Sequence, residues 1–130
     1  FEKKIIAGED ILFVAQLLKN GGTIEYCAEA KVYYQETEYW PTLLKQNFDY
    51  AVTYAQHSDV LGDCSTIPED VRYVKEIISY LYNQKYYLEI LDFLGENVHK
   101  WIGRFLGKQY RFFRPEWILK LTANKNYWEN

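Results

Sequence analysis

From Pro41 to Phe105 the chain is written in helical spacing, and this restricts most of what it can become. Leu44, Phe48, Ala51 and Ala55 recur at three- and four-residue intervals, as do Val71, Val74, Ile78 and Leu81, and then Leu91, Leu94, Val98, Trp101 and Phe105. Such intervals gather apolar side chains on one face of an α-helix, and that face must be covered. Start and stop signals divide the run into three helices. Pro41 suits the first turn of one that ends near His57. Thr66-Ile67-Pro68-Glu69 has capping-box spacing, in which the Thr hydroxyl and the Glu carboxylate satisfy free amides, so a second begins near Pro68. Asn83-Gln84 separates it from the third, and these two are expected to pack as a hairpin. Arg114-Pro115 interrupts the end of that segment, and residues 116–122 are expected to add a short helix.

Upstream, residues 8–20 also carry apolar positions three and four apart, with Gly21-Gly22 as a C-terminal stop. Thr23-Ile24-Glu25-Tyr26-Cys27 alternates in the β manner, and Lys31-Val32-Tyr33-Tyr34-Gln35 is β-branched and aromatic. Two short strands joined through Ala28-Glu29-Ala30 are therefore expected. The fold class that follows is mainly α with a short two-stranded β element. Its segments are residues 1–60, a linker at 61–67, and a helical extension with a basic aromatic tail at 68–130.

Composition sets the outer limits. A chain of 130 residues with 48% hydrophobic content can bury a core of its own. It begins at Phe1 and contains no Met, and is therefore expected to be a piece of a longer protein. The apolar stretch after Lys3 and Lys4 is too short for a secretory leader, and no segment is apolar enough to span a bilayer. Cys27 and Cys64 stand far apart and are expected as free thiols of a reducing, cytoplasmic compartment. His57 and His99 are isolated from both Cys and from each other, so no metal site is expected within these residues. The net charge of −3 hides an asymmetry. From residue 98 onward seven Lys/Arg face two Glu, while the remainder holds eight basic and sixteen acidic residues. The acidic part argues against nucleic acid as a partner, and the basic part leaves an anionic surface open.

Chemistry enters at Gly8-Glu9-Asp10, an adjacent carboxylate pair at the start of a helix. Acidic residues there serve the helix dipole in many proteins. A carboxylate so placed can also hold an acceptor hydroxyl and take its proton. The order of features around it is more specific: a Gly-Glu-Asp helix head, paired glycines, Gly22-Thr23-Ile24-Glu25-Tyr26, then Ala28-Glu29-Ala30-Lys31-Val32 and an aromatic helix. Over about residues 1–60 this resembles the C-terminal part of family 2 inverting glycosyltransferases of the GT-A type; beyond Pro68 the likeness is looser, and Phe105-Leu106-Gly107-Lys108 with the basic aromatic tail looks like the membrane-associated C-terminal helices of bacterial rhamnosyltransferase-like members.

The resemblance implies the C-terminal fragment of an α/β GT-A fold, followed by the helical hairpin. It implies Asp10 as catalytic base, Glu9 at the acceptor site, and Tyr34 near the donor phosphates, where many relatives carry His. Neutral phenol is a poorer metal ligand than imidazole. A divalent cation, Mg or Mn, is thus a candidate cofactor of the parent protein, with none held by this piece. The implied partners are a nucleotide-sugar donor and an acceptor saccharide or lipid-linked glycan, in the synthesis of cell-surface polysaccharide or glycoconjugate. The donor-binding half does not occur in these residues, so the isolated piece is expected to be inactive.

Two features of the C-terminal part stand beside this reading. Gly103-Arg104-Phe105-Leu106-Gly107 has the small-xxx-small spacing of membrane helix dimers but lies in a charged neighbourhood, which argues against that use. Lys100, Arg104, Lys108, Arg111 and Arg114 interleave with aromatic residues, a pattern suited to the inner face of an anionic membrane. It is equally suited to a solvated basic face over a buried aromatic stripe. A non-catalytic helical interaction module, including a homo-oligomer, or a peripheral membrane-binding module is the alternative reading.

Overall fold

The computed structural model describes residues 5–33, 39–62 and 67–129, with the backbone alone at 67–70. In order the elements are α1 (Glu9–Lys19), α2 (Trp40–Gln56), the single turn α3 (Ser58–Leu61), α4 (Ile67–Asn83), α5 (Tyr87–Lys108), a 3₁₀ turn (Tyr110–Phe112), α6 (Pro115–Leu121) and α7 (Lys125–Trp128). No β-strand occurs among the described residues. The expected two-stranded element, and with it the α/β GT-A assignment of this segment, is corrected to an all-helical fold.

The physical reason lies in residues 22–33. Tyr26 is 93% and Tyr33 99% exposed, and the bonds within this stretch are local, from the Ala30 amide to the Cys27 carbonyl and from the Lys31 amide to that of Glu29. β-branched and aromatic composition describes fitness for a pleated, half-buried surface rather than an intrinsic backbone preference. Here no neighbouring backbone among the described residues supplies a ladder, and an isolated two-stranded pairing is marginal in water. Tyr34 and Gln35, the end of the second expected strand, lie outside the described residues, as do Cys64 and Thr66 of the capping box.

The helices follow their start and stop signals closely. α1 ends in a Schellman motif: the Gly21 amide donates to the Leu18 carbonyl and the Gly22 amide to that of Leu17, with Gly21 at φ 82°. The same bond pattern ends α4, with Tyr86 donating to Leu81 and Lys85 to Tyr82, but the left-handed position is taken by Lys85 at φ 63°. A side chain there costs about 1–2 kcal/mol, partly offset in a glycine variant by its freer unfolded chain. Lys85→Gly is accordingly expected to gain about 0.5–1 kcal/mol in urea denaturation.

The dominant packing is between α2 and α5, not within the α4–α5 hairpin. α4 meets α5 through edge-to-face pairs of Tyr73 with Phe93 and Tyr82 with Tyr87. α2 comes much closer, because α5 presents a row of small residues to it. A methyl group on Gly103 would collide with the Leu44 carbonyl oxygen, one on Gly107 with that of Phe48, and one on Gly95 with the Trp40 ring. The small-xxx-small spacing therefore works inside the fold, bringing two backbones together.

At the C-terminal end of this pair, Ile6, Phe48, Val52 and Ile118 form the buried core, ringed by Leu106, Tyr110, Phe113, Leu121, Tyr127 and Trp128. Residues on either side of the 61–67 linker thus share one core. None of the described helices is long and apolar enough to cross a membrane.

Candidate functional site

Glu9 and Asp10 form the first turn of α1, both exposed, behind Gly8 in the left-handed region at φ 76°. No hydrogen bond or ion pair among the described residues occupies either carboxylate. The partial positive charge of the helix start favours anionic groups at this place. The backbone just before them is held firmly. Thr53 Oγ1 donates to the Ala7 carbonyl at 2.8 Å, Asn124 Nδ2 donates to the Ile6 carbonyl at 3.2 Å, and Gly8 lies so close to the Tyr50 ring that a methyl group there would come within 3.2 Å of it.

Ile6 and Ala7, which precede the helix head, line an open cleft of about 590 Å³ between α2, α5 and residues 123–124, whereas Glu9 and Asp10 are not among its lining residues. Ile6, Ala7, Leu43 and Tyr50 supply its apolar lining; Gln46, Asn47, Glu96, Lys100 and Asn124 supply polar groups. Glu96 and Lys100 stand 3.7 Å apart, each about one-third exposed. Arg104 Nε donates to Asn47 Oδ1 at 3.1 Å, and Asn47 Nδ2 to the Leu43 carbonyl at 2.9 Å. A mixed lining of amides, opposite charges and one aromatic ring within a few hundred cubic ångströms suits a polar small molecule.

At the cleft wall sits Asp49, only 2% exposed. Its Oδ1 accepts from the Thr122 hydroxyl at 2.6 Å, and its Oδ2 accepts from the Ala123 and Asn124 amides at 2.9 and 3.1 Å. Burial raises its pKa above the ordinary carboxylate value, against these three donors, which lower it. With every oxygen engaged, Asp49 is a tie between α2 and the segment following α6. Sequence reading passed over it; its signal was an acidic residue between Phe48 and Ala51 in a helix interior, which requires a tertiary partner.

Two expectations follow from this tie. Thr122→Val removes a donor from a buried carboxyl and is expected to cost about 1–3 kcal/mol, read from the urea midpoint. A raised folded-state pKa favours the protonated form in the native protein. The contribution is thus full below the unfolded value and is lost as pH rises through the folded value. The stability of the wild type relative to Asp49→Asn should therefore fall as pH rises from about 4, the ordinary carboxylate range, towards neutrality; a gap that widens with pH would contradict it.

The remaining sequence candidates are apart from the cleft or bound up in structure. Tyr34 lies outside the described residues. His57 closes α2, its carbonyl accepting from the Val60 and Leu61 amides. His99 Nδ1 is 2.7 Å from the Gly95 carbonyl, which can only accept, so Nδ1 carries the proton; the ring tilts against Trp40 at 5.4 Å. Among the described residues no three His, Cys, Asp or Glu side chains converge as a metal site.

No protein-family model matches the chain, and comparison with curated proteins and with solved structures finds no match. The glycosyltransferase resemblance rests on the residues alone.

Proposed function

We propose that this chain is the acceptor-side part of an inverting glycosyltransferase that moves a sugar from a nucleotide-sugar donor to a hydroxyl of a saccharide or lipid-linked glycan, at the inner face of the membrane. The observation that carries the reading is the exposed Glu9-Asp10 pair at the head of α1, a carboxylate pair that follows closely on Ile6 and Ala7 in the wall of the cleft. In the reaction the acceptor oxygen bonds to the anomeric carbon while Asp10 takes the hydroxyl proton. The bond from that carbon to the nucleoside diphosphate breaks, and a single displacement inverts the centre. Glu9 orients the acceptor.

Carboxylates in solvent reach and an amide-lined cleft beside them support this reading. General-base assistance requires the carboxylate within hydrogen-bond reach of the proton it removes. The test is sugar transfer by the full-length protein carrying Asp10→Asn, folded as judged by circular dichroism, across a panel of nucleotide sugars. Unchanged turnover overturns the assignment. The half-exposed apolar faces of α4 and α5 favour a second reading, a non-catalytic interaction module, for which no nucleotide sugar would serve as donor.

A further inference from the structure

The helical turn that points Gly95, Gly103 and Gly107 of α5 at α2 points Leu94, Val98, Trp101 and Phe105 the opposite way, since two residues along a helix is a rotation of about 200°. These four are between one-third and two-thirds exposed, Phe105 at 63%, and Ile102 beside them is also exposed. Past the end of α5 the exposed apolar groups continue with Phe112, 88% exposed, and Trp117. Around them Lys108, Arg111, Arg114 and Lys120 are all exposed, and Glu116 is the only acidic residue between positions 98 and 120.

We propose that this face of α5, continued through residues 110–120, docks on an anionic lipid bilayer surface, its aromatic and aliphatic side chains entering the headgroup boundary while the cations meet lipid phosphates. The charge pattern selects this occupant. A second copy of the chain on the same patch would set the cations of one protomer against the same cations of the other, which isologous symmetry cannot avoid. Nucleic acid would satisfy the cations and leave Leu94, Val98 and Ile102 without an apolar partner. A bilayer interface satisfies both, and aromatic rings with long basic side chains are the groups that settle at that depth. Exposed apolar patches of this kind mark interaction surfaces. The inference deepens the membrane location in the proposed function by naming the surface that docks, and the vesicle assay can fail without touching the sugar-transfer assay of Asp10→Asn.

The test is co-sedimentation of the full-length protein with phosphatidylcholine vesicles, with and without phosphatidylglycerol, at low and high salt. Binding is expected to the anionic vesicles, weakening as salt screens the cations. Lys108→Gln and Arg111→Gln should each weaken it roughly fivefold, the effect of one basic residue at a charged surface. Phe112→Ser, at a position too exposed to disturb folding, should also weaken it, while Asp10→Asn should bind as the wild type does. Equal, salt-insensitive binding to both vesicle types overturns the proposal. So does wild-type affinity in both Gln variants, or a dimer that dissociates in those variants while no vesicle is bound.

Discussion

Alanine at Gly103 is expected to break the α2–α5 pair, lowering stability by about 3 kcal/mol, the upper part of the range for overpacking a dense interior. The sign is the informative part. In an exposed helix interior, glycine to alanine gains about 1 kcal/mol from helix propensity. At Gly103 the new methyl would meet the Leu44 carbonyl oxygen, with Asn47 Cβ also within 3.1 Å, and a backbone carbonyl cannot swing away as a side chain can. Gly107→Ala meets the Phe48 carbonyl and Ala51 Cβ and is expected to behave alike. Gly95→Ala meets the ring of Trp40, which is partly exposed, bonded through its Nε1 to Asp92 and tilted against His99; a side chain can yield where a backbone carbonyl cannot, and the loss should be smaller. With total stabilities of about 5–15 kcal/mol, either of the first two changes consumes a large part of the margin. Urea midpoints for the three variants test the order; a Gly103→Ala protein as stable as the wild type would exclude the close approach of the two backbones.

That close approach shows where the sequence was legible and where it was not. Helix extents were readable because their signals are local: Gly21-Gly22 ends α1 through two backbone bonds, and Pro41 opens α2 at a position that has no amide to satisfy. Helix partners were not, because the three-four pattern says that a face is covered without saying by what. The charged neighbourhood of Gly103 and Gly107 argues against a membrane helix dimer, but the same spacing also lets two helices of one chain approach closely, and Arg104 beside it reaches across to Asn47 of α2. The strands failed for a related reason. Alternation at residues 23–27 is a property of one segment, whereas a strand is a property of two. At the candidate site the carboxylate pair was plain in the sequence. The cleft beside it was not, since its lining comes from α2, from α5 and from residues 123–124, brought together by Asp49 and Asn124 through bonds that span more than 70 positions.

Asp10→Asn in the full-length protein is expected to lower kcat by about 10²–10⁴, the usual worth of general-base assistance, while leaving KM for the acceptor nearly unchanged. Asparagine keeps the shape and one carbonyl acceptor of aspartate, so it can still accept a hydrogen bond from the hydroxyl; it cannot take the proton as the carbon–oxygen bond forms. At 1.36 kcal/mol for each tenfold, the loss corresponds to about 3–5 kcal/mol of barrier, all of it arising in the transition state. Glu9→Gln should divide the other way, raising the acceptor KM with a smaller effect on kcat, because an orienting contact is made before the reaction and kept through it. The contrast distinguishes chemistry from helix capping. Both side chains occupy the first turn of α1, where either negative charge would serve the dipole about equally. A purely structural pair would give two variants alike in slightly reduced thermal stability and alike in turnover. A kcat loss confined to position 10 has no such explanation, since the two residues share the helix end and differ only in which of them reaches the reacting hydroxyl.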